Sequence, residues 1–90
     1  MYRKEVTIVN ESGLHARPAS VFVSQAKKFQ SRIWARNISS GSEAFNAKSI
    51  VLLLAQGMGR GTQIEISAEG PDEQLAVDTL ADFISSGCGE

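Results

Sequence analysis

Gly13-Leu14-His15-Ala16-Arg17-Pro18-Ala19 marks the point where one hydrophobic period replaces another. Before it, in residues 2–9, Val6 and Ile8 alternate with Glu5 and Thr7, the period of two that sets β-branched residues on one face of a strand. After it, Ala19, Phe22, Ala26 and Phe29 recur at helical spacing, with Pro18 tolerated in the first turn and Lys27 and Lys28 near the negative end of the dipole. The pattern predicts a strand, a loop over residues 10–13 and a helix opening at Ala16. His15, the only histidine, stands at the junction.

The remaining chain divides into five further short elements. Ile33 and Ala35 alternate with Arg32, Trp34 and Arg36 as a second strand, and the turn Ser39-Ser40-Gly41-Ser42 joins it to a third over residues 43–46. Residues 49–56 predict a short helix stopped by Gly57, and residues 62–69 alternate Ile64, Ile66 and Ala68 against polar neighbours as a fourth strand. Gly70-Pro71-Asp72-Glu73 then opens a last helix, with Pro71 and the acidic pair in its first turn and Ala76, Leu80 and Phe83 as its core stripe. The order β-α-β-β-α-β-α suits an α+β fold, an antiparallel sheet with helices over one face, and can also be arranged as a ferredoxin-like split unit with an added helix.

Composition narrows the function. Ninety residues, 42% of them hydrophobic, make one compact domain over 1–90 with no room for a second, catalytic one. A net charge of −1 with intermixed signs gives no nucleic-acid surface and no electrostatic membrane anchor, so proteins or small molecules are the expected partners. Trp34 has no aromatic partner pattern that would make a base-stacking platform. The longest apolar run, residues 50–55, is far short of the ~20 residues needed to span a bilayer, and no charged leader precedes an apolar core, so a cytoplasmic protein is expected. One histidine and one distant cysteine make no metal site, and no cofactor is expected. The single cysteine, Cys88, falls in a Ser/Gly-rich tail and reads as a bystander thiol.

The chemistry gathers at His15. A helix start carries unpaired N–H groups and the positive end of the peptide dipoles, so an imidazole there can hold a phosphoryl group on nitrogen while donors grip its oxygens. The candidate donors are the backbone amides of Ala16 and Arg17 and the Arg17 guanidinium; Pro18 has no N–H and instead fixes the turn that aims the ring. Neutral imidazole is available near pH 7 and forms a labile phosphoramidate, the properties a high-energy carrier needs. The other reading of the same residues is a histidine that merely caps the helix, with Arg17 on a solvated face.

Elsewhere the plain readings compete more strongly. Ser49 before an apolar run reads as an ordinary N-cap. Six apolar residues in succession, Ile50 to Ala55, cover every side of a helix that can bury only one, so some must face outward as a contact patch. Arg17 and Arg60 could form the charged rim of that patch and speed encounter with acidic partners. Gly57-Met58-Gly59-Arg60-Gly61 lacks the lysine and hydroxyl of a P-loop and leads into a strand, so it reads as a helix stop and turn. Asp78 and Asp82 read as a solvated helix face, and no residue beside Arg17 could activate water for a phosphatase.

Gly13-Leu14-His15-Ala16-Arg17-Pro18-Ala19, with Asn46-Ala47-Lys48-Ser49-Ile50 and Gly57-Met58-Gly59-Arg60-Gly61, resembles the histidine-containing phosphocarrier family, HPr, of the bacterial phosphoenolpyruvate:sugar phosphotransferase system, over essentially the whole chain. The resemblance implies an HPr-like open-faced sandwich, a four-stranded antiparallel sheet covered on one face by three helices. It implies a phosphoryl group accepted from phospho-enzyme I on the δ1 nitrogen of His15 and passed to IIA components of sugar permeases. It further implies docking through Ser20, Ile50, Val51 and Leu54, and regulatory phosphorylation of Ser49 by an HPr kinase/phosphorylase that could create a face for a transcriptional regulator. A carrier with one shared docking face works best as a monomer. The chain departs from the family by a few extra residues around Asn37 to Glu43, a cheap insertion in a hairpin turn. This segment and Gln63-Ile64-Glu65 also resemble the nitrogen-related HPr paralogue, a regulatory relay, whereas Lys48 before Ser49 fits the kinase-controlled type. A phosphoserine-dependent binding module needing Ser49 but not His15 is the remaining alternative.

Overall fold

The computed structural model describes residues 1–89; Glu90 lies outside the described residues. Seven elements follow one another as β1 (Tyr2–Thr7), α1 (Ala16–Ala26), β2 (Arg32–Asn37), β3 (Phe45–Asn46), α2 (Ile50–Ala55), β4 (Gln63–Glu69) and α3 (Glu73–Ser85). The strands form one antiparallel sheet in the order β1-β4-β2-β3. Val6 sits opposite Ile64, Ala35 opposite Ile66 and Ile33 opposite Ala68, so the period of two read from the sequence delivers one apolar face. Helix α3 lies against β1, β4 and β2, while α1 packs on α2 and α3.

The core joins Ile33, Ala35, Ile64, Ile66 and Ala68 from the sheet to Ala19, Phe22, Val23 and Ala26 from α1 and to Ala76, Val77, Leu80, Ala81 and Ile84 from α3. Each large side chain fully buried there contributes roughly 1.5–3 kcal/mol of transfer free energy. The stripe of α3 differs from expectation: Phe83 is only half-buried at its edge and Ile84 takes the inward position. Helix α1 ends at Ala26 with Lys27 as its C-cap, so Phe29 lies beyond the helix, still packed against the core.

The opening of α3 is also corrected. Pro71 stands in the turn before the helix, and the N-cap Asp72 makes no side-chain bond to its own helix. Its carboxylate instead accepts hydrogen bonds from the Ser31 hydroxyl, the Gln30 N–H (2.9 Å) and the Ser31 N–H (2.9 Å). Gly70 completes this clasp: a Cβ there would lie 2.7 Å from the Ser31 Cα, and only glycine fits between the two loops. The Ser31 hydroxyl first, then the Gln30 and Ser31 amides, hold the Asp72 carboxyl below its ordinary value of 3.8, against the partial burial that opposes them. A depressed folded-state pKa gives stability that is present above 3.8 and lost as pH falls through the lower folded value. Asp72→Asn is therefore expected to melt below the wild type at pH 7, with the gap closing below pH 3.8, as thermal melts across that range will read.

Asp78 lies on a solvated face, its side chain 41% exposed, and makes a second tie there. It accepts from the Tyr2 hydroxyl at 3.0 Å and pairs with the Lys4 ammonium at 2.7 Å, fastening α3 to β1. Lys4 and then Tyr2 lower the Asp78 pKa, and the same bond raises that of Lys4.

Candidate functional site

Two loops meet behind His15. Residues 8–14 leave β1 with Ile8 and Leu14 fully buried, and the Asn10 side-chain amide donates to the Gly13 carbonyl at 3.0 Å. The Leu14 N–H donates to the Met58 carbonyl at 3.0 Å, so the loop after α2 supports the loop before α1. Gly13, at φ +66°, makes that approach possible: a Cβ would fall 2.5 Å from the Met58 oxygen and 2.6 Å from the Gly59 Cα. The glycine-rich stretch 57–61 is thus a helix stop and a backing wall, and the chain continues from it into β4.

His15 is the N-cap of α1, with extended backbone (φ −126°, ψ 164°) and no side-chain cap bond. Its half-buried imidazole makes no hydrogen bond among the described residues, which leaves both ring nitrogens open to a ligand. Ala16 follows at φ +49°, a left-handed conformation that costs an L-residue roughly 1–2 kcal/mol and turns the chain sharply from the loop into the helix. At such a helix start the Ala16 and Arg17 N–H groups have no intrahelical acceptor. Pro18 is buried, and Ala16, Arg17 and Ser20 are exposed. Extended His15, open amides and an exposed guanidinium two residues on are compatible with an anion held at the ring.

Arg60 is exposed but borders a different depression, with Val9, Asn10, Glu11 and Gly87. Arg17 lines another with Pro18, Val21, Phe83, Cys88 and Gly89. The two arginines thus border the turn after α3 in separate depressions, Arg60 with Gly87 and Arg17 with Cys88 and Gly89. That turn overturns the reading of Cys88 as a bystander in a loose tail: the residue is 3% exposed and belongs to the core cluster. Nothing in the Ser/Gly-rich composition signalled this burial.

Ser49 is an N-cap in the structure, its hydroxyl oxygen accepting from the Leu52 N–H at 3.2 Å. Lys48 before it donates its ammonium to the Phe29 carbonyl at 2.8 Å, fixing the approach to α2 on the end of α1. Of the six residues of α2 only Leu53 is buried. Val51 is 73% exposed and Leu52 and Leu54 43% each, while Ile50 is partly buried and packs against the core. With every position apolar, the sequence carried no phase from which to tell Ile50 from Leu52.

Comparison with known proteins gives the family of the chain. The family model for the PTS HPr component phosphorylation site matches residues 2–86. The chain is 44% identical over 84 residues to the phosphocarrier protein HPr of Haemophilus influenzae, covering 93% of this chain and 95% of that one. It is 41% identical over 83 residues to the multiphosphoryl transfer protein of Vibrio cholerae, covering 92% of this chain and spanning only 21% of that longer protein. The crystal structure of HPr-C-His from Thermoanaerobacter tengcongensis superposes with a TM-score of 0.92 at 42% identity, covering 100% of this chain and 98% of that one.

Proposed function

The chain belongs to the PTS HPr family, and we propose that within it His15 is the phosphoryl acceptor, charged by phospho-enzyme I and discharged to IIA components of sugar permeases. The observation that carries this reading is the open, half-buried imidazole at the strained start of α1, with no competing hydrogen bond among the described residues. A neutral ring nitrogen, Nδ1 by family resemblance, attacks the phosphorus in line. The new P–N bond forms as the donor's bond to phosphorus breaks, and the electron pair of that bond leaves with the donor. The Ala16 and Arg17 amides and the Arg17 guanidinium stabilise charge on the equatorial oxygens. Transfer to a IIA component is the same step reversed. The chain supplies an acceptor and a docking face and turns over only between partner proteins; as one HPr-like domain over residues 1–90 it is taken to act as a cytoplasmic monomer.

The patch of Val51, Leu52 and Leu54, with Ser20 and partly buried Ile50, is read as the docking face, and exposed Arg17 and Arg60 as cations that speed encounter with acidic partners. Phosphorylation of Ser49 by an HPr kinase/phosphorylase would place about −1.5 to −2 charges at the edge of this face, hindering acidic partners and offering a transcriptional regulator a new contact. Aspartate caps a helix as well as serine does, so Ser49→Asp is expected to keep the fold. Like charges facing each other across the contact slow transfer, and a loss of about 1.4 kcal/mol would be tenfold in kcat/KM, carried by KM. Rates of phosphorylation by enzyme I at varied concentrations of the protein check this.

The primary test is incubation with phosphoenolpyruvate and enzyme I, followed by intact mass at alkaline and acidic pH. One added phosphate that is lost in acid supports the reading; no addition, with the same enzyme I active on another carrier, overturns it.

A further inference from the structure

Helix α3 ends in a turn with an unusual backbone. Gly87, Cys88 and Gly89 all have positive φ, and Cys88 at +55° is the one residue of the three with a side chain to strain. The Cys88 N–H donates to the Phe83 carbonyl at 2.9 Å and the Gly87 N–H to the Ile84 carbonyl at 3.2 Å, which curls the chain back over the helix end. The side chain so placed is buried, and together with Phe83 and Gly89 it forms one wall of the depression whose other wall is Arg17, Pro18 and Val21. Gly87 on the far side of the turn borders the loop at Val9, Asn10 and Glu11 that leads to His15. Arg17 is exposed and has no hydrogen bond or ion pair among the described residues, so no polar partner there fixes its guanidinium. It shares its depression with this apolar wall, along which a long cationic stem can lie with its head in water.

We infer that Cys88 is a positioning residue for the phosphoryl site, its buried side chain seating the Arg17 stem so that the guanidinium meets the oxygens of the transferring group. The inference rests on the reading of His15 as acceptor. A glycine would adopt the backbone of residue 88 without strain, so the retained side chain is the variable to remove.

The test measures phosphorylation rates by enzyme I and phosphoenolpyruvate for the wild type, Cys88→Gly, Cys88→Ser, Arg17→Ala and the Cys88→Gly/Arg17→Ala pair. Cys88→Gly is expected to lose about three- to tenfold in kcat with KM unchanged, because the docking face is untouched, and Cys88→Ser, of similar size, to restore the rate to within about twofold. In the Arg17→Ala background the Cys88→Gly loss is expected to vanish, which a general loosening of the fold would not produce. Cys88→Ala carries the same comparison should Cys88→Gly lose its circular-dichroism signature. A wild-type rate in Cys88→Gly, or an equal loss with and without Arg17, overturns this inference alone. A wild type that accepts no phosphate overturns the acceptor reading and this inference with it.

Discussion

His15→Ala is expected to take no phosphate from enzyme I and phosphoenolpyruvate while melting within a few degrees of the wild type. The acceptor reading supplies the first half: the chain has one histidine, so the substitution removes its only imidazole nucleophile. The second half follows from the cap. His15 holds α1 through its extended backbone and not through a side-chain bond, so truncation to alanine removes no hydrogen bond among the described residues. Intact mass and a thermal melt on the same sample read both halves. A phosphate retained in His15→Ala would move the acceptor elsewhere, with Ser49 the first place to look. Loss of acceptance together with loss of fold would leave the ring's chemistry and its packing entangled, and His15→Gln, closer in size, would then separate them.

Gly13→Ala is expected to damage the protein most for the fewest atoms. The added methyl would meet the Met58 carbonyl and the Gly59 backbone, at 2.5 and 2.6 Å, and neither is the movable end of a side chain. Overpacking of this kind costs roughly 1–3 kcal/mol, and the left-handed φ adds about 1–2 kcal/mol. For a domain of this size about 3 kcal/mol lowers the melting midpoint by more than roughly 10 °C. Relief of the clash must part the two loops, stretching the Leu14 to Met58 hydrogen bond and shifting His15 next to it. Calorimetry and phosphorylation kinetics together are expected to show both losses; a melt unchanged within about 2 °C would mean that the two loops part freely.

Much of this was legible in the sequence because it depends on local pattern. Alternation in Ile33 to Arg36 and Ile64 to Ala68 fixes which face of each strand is buried, whatever the neighbours are, and Ser49 ahead of an apolar run caps its helix through a bond only three residues long. The position of His15 at a strand-to-helix change needed only two periods to be recognised. What failed to show depends on partners distant in the chain. Asp72 looks like a helix-dipole residue until Ser31 is folded beside it, and solvated Asp78 shows no partner until Lys4 and Tyr2 arrive from β1. Ile50 and Leu52 are interchangeable by hydrophobicity, and only the docking of α2 on its neighbours gives the helix a phase. Cys88 is the extreme case: a serine- and glycine-rich sequence says turn, but not that the turn carries a residue into the core.

The sheet order has one more consequence, for behaviour in a crowded solution. An open sheet exposes two rows of unpaired backbone groups that can recruit another chain into a growing ribbon, and this sheet restricts both. One boundary strand, β3, is only two residues long, too short to template a neighbour. The other, β1, carries Arg3, Lys4 and Glu5 in succession, charges that a second copy would have to desolvate to pair there. Self-recruitment into aggregates is thereby discouraged at both borders, and the surface left adhesive is the apolar face of α2.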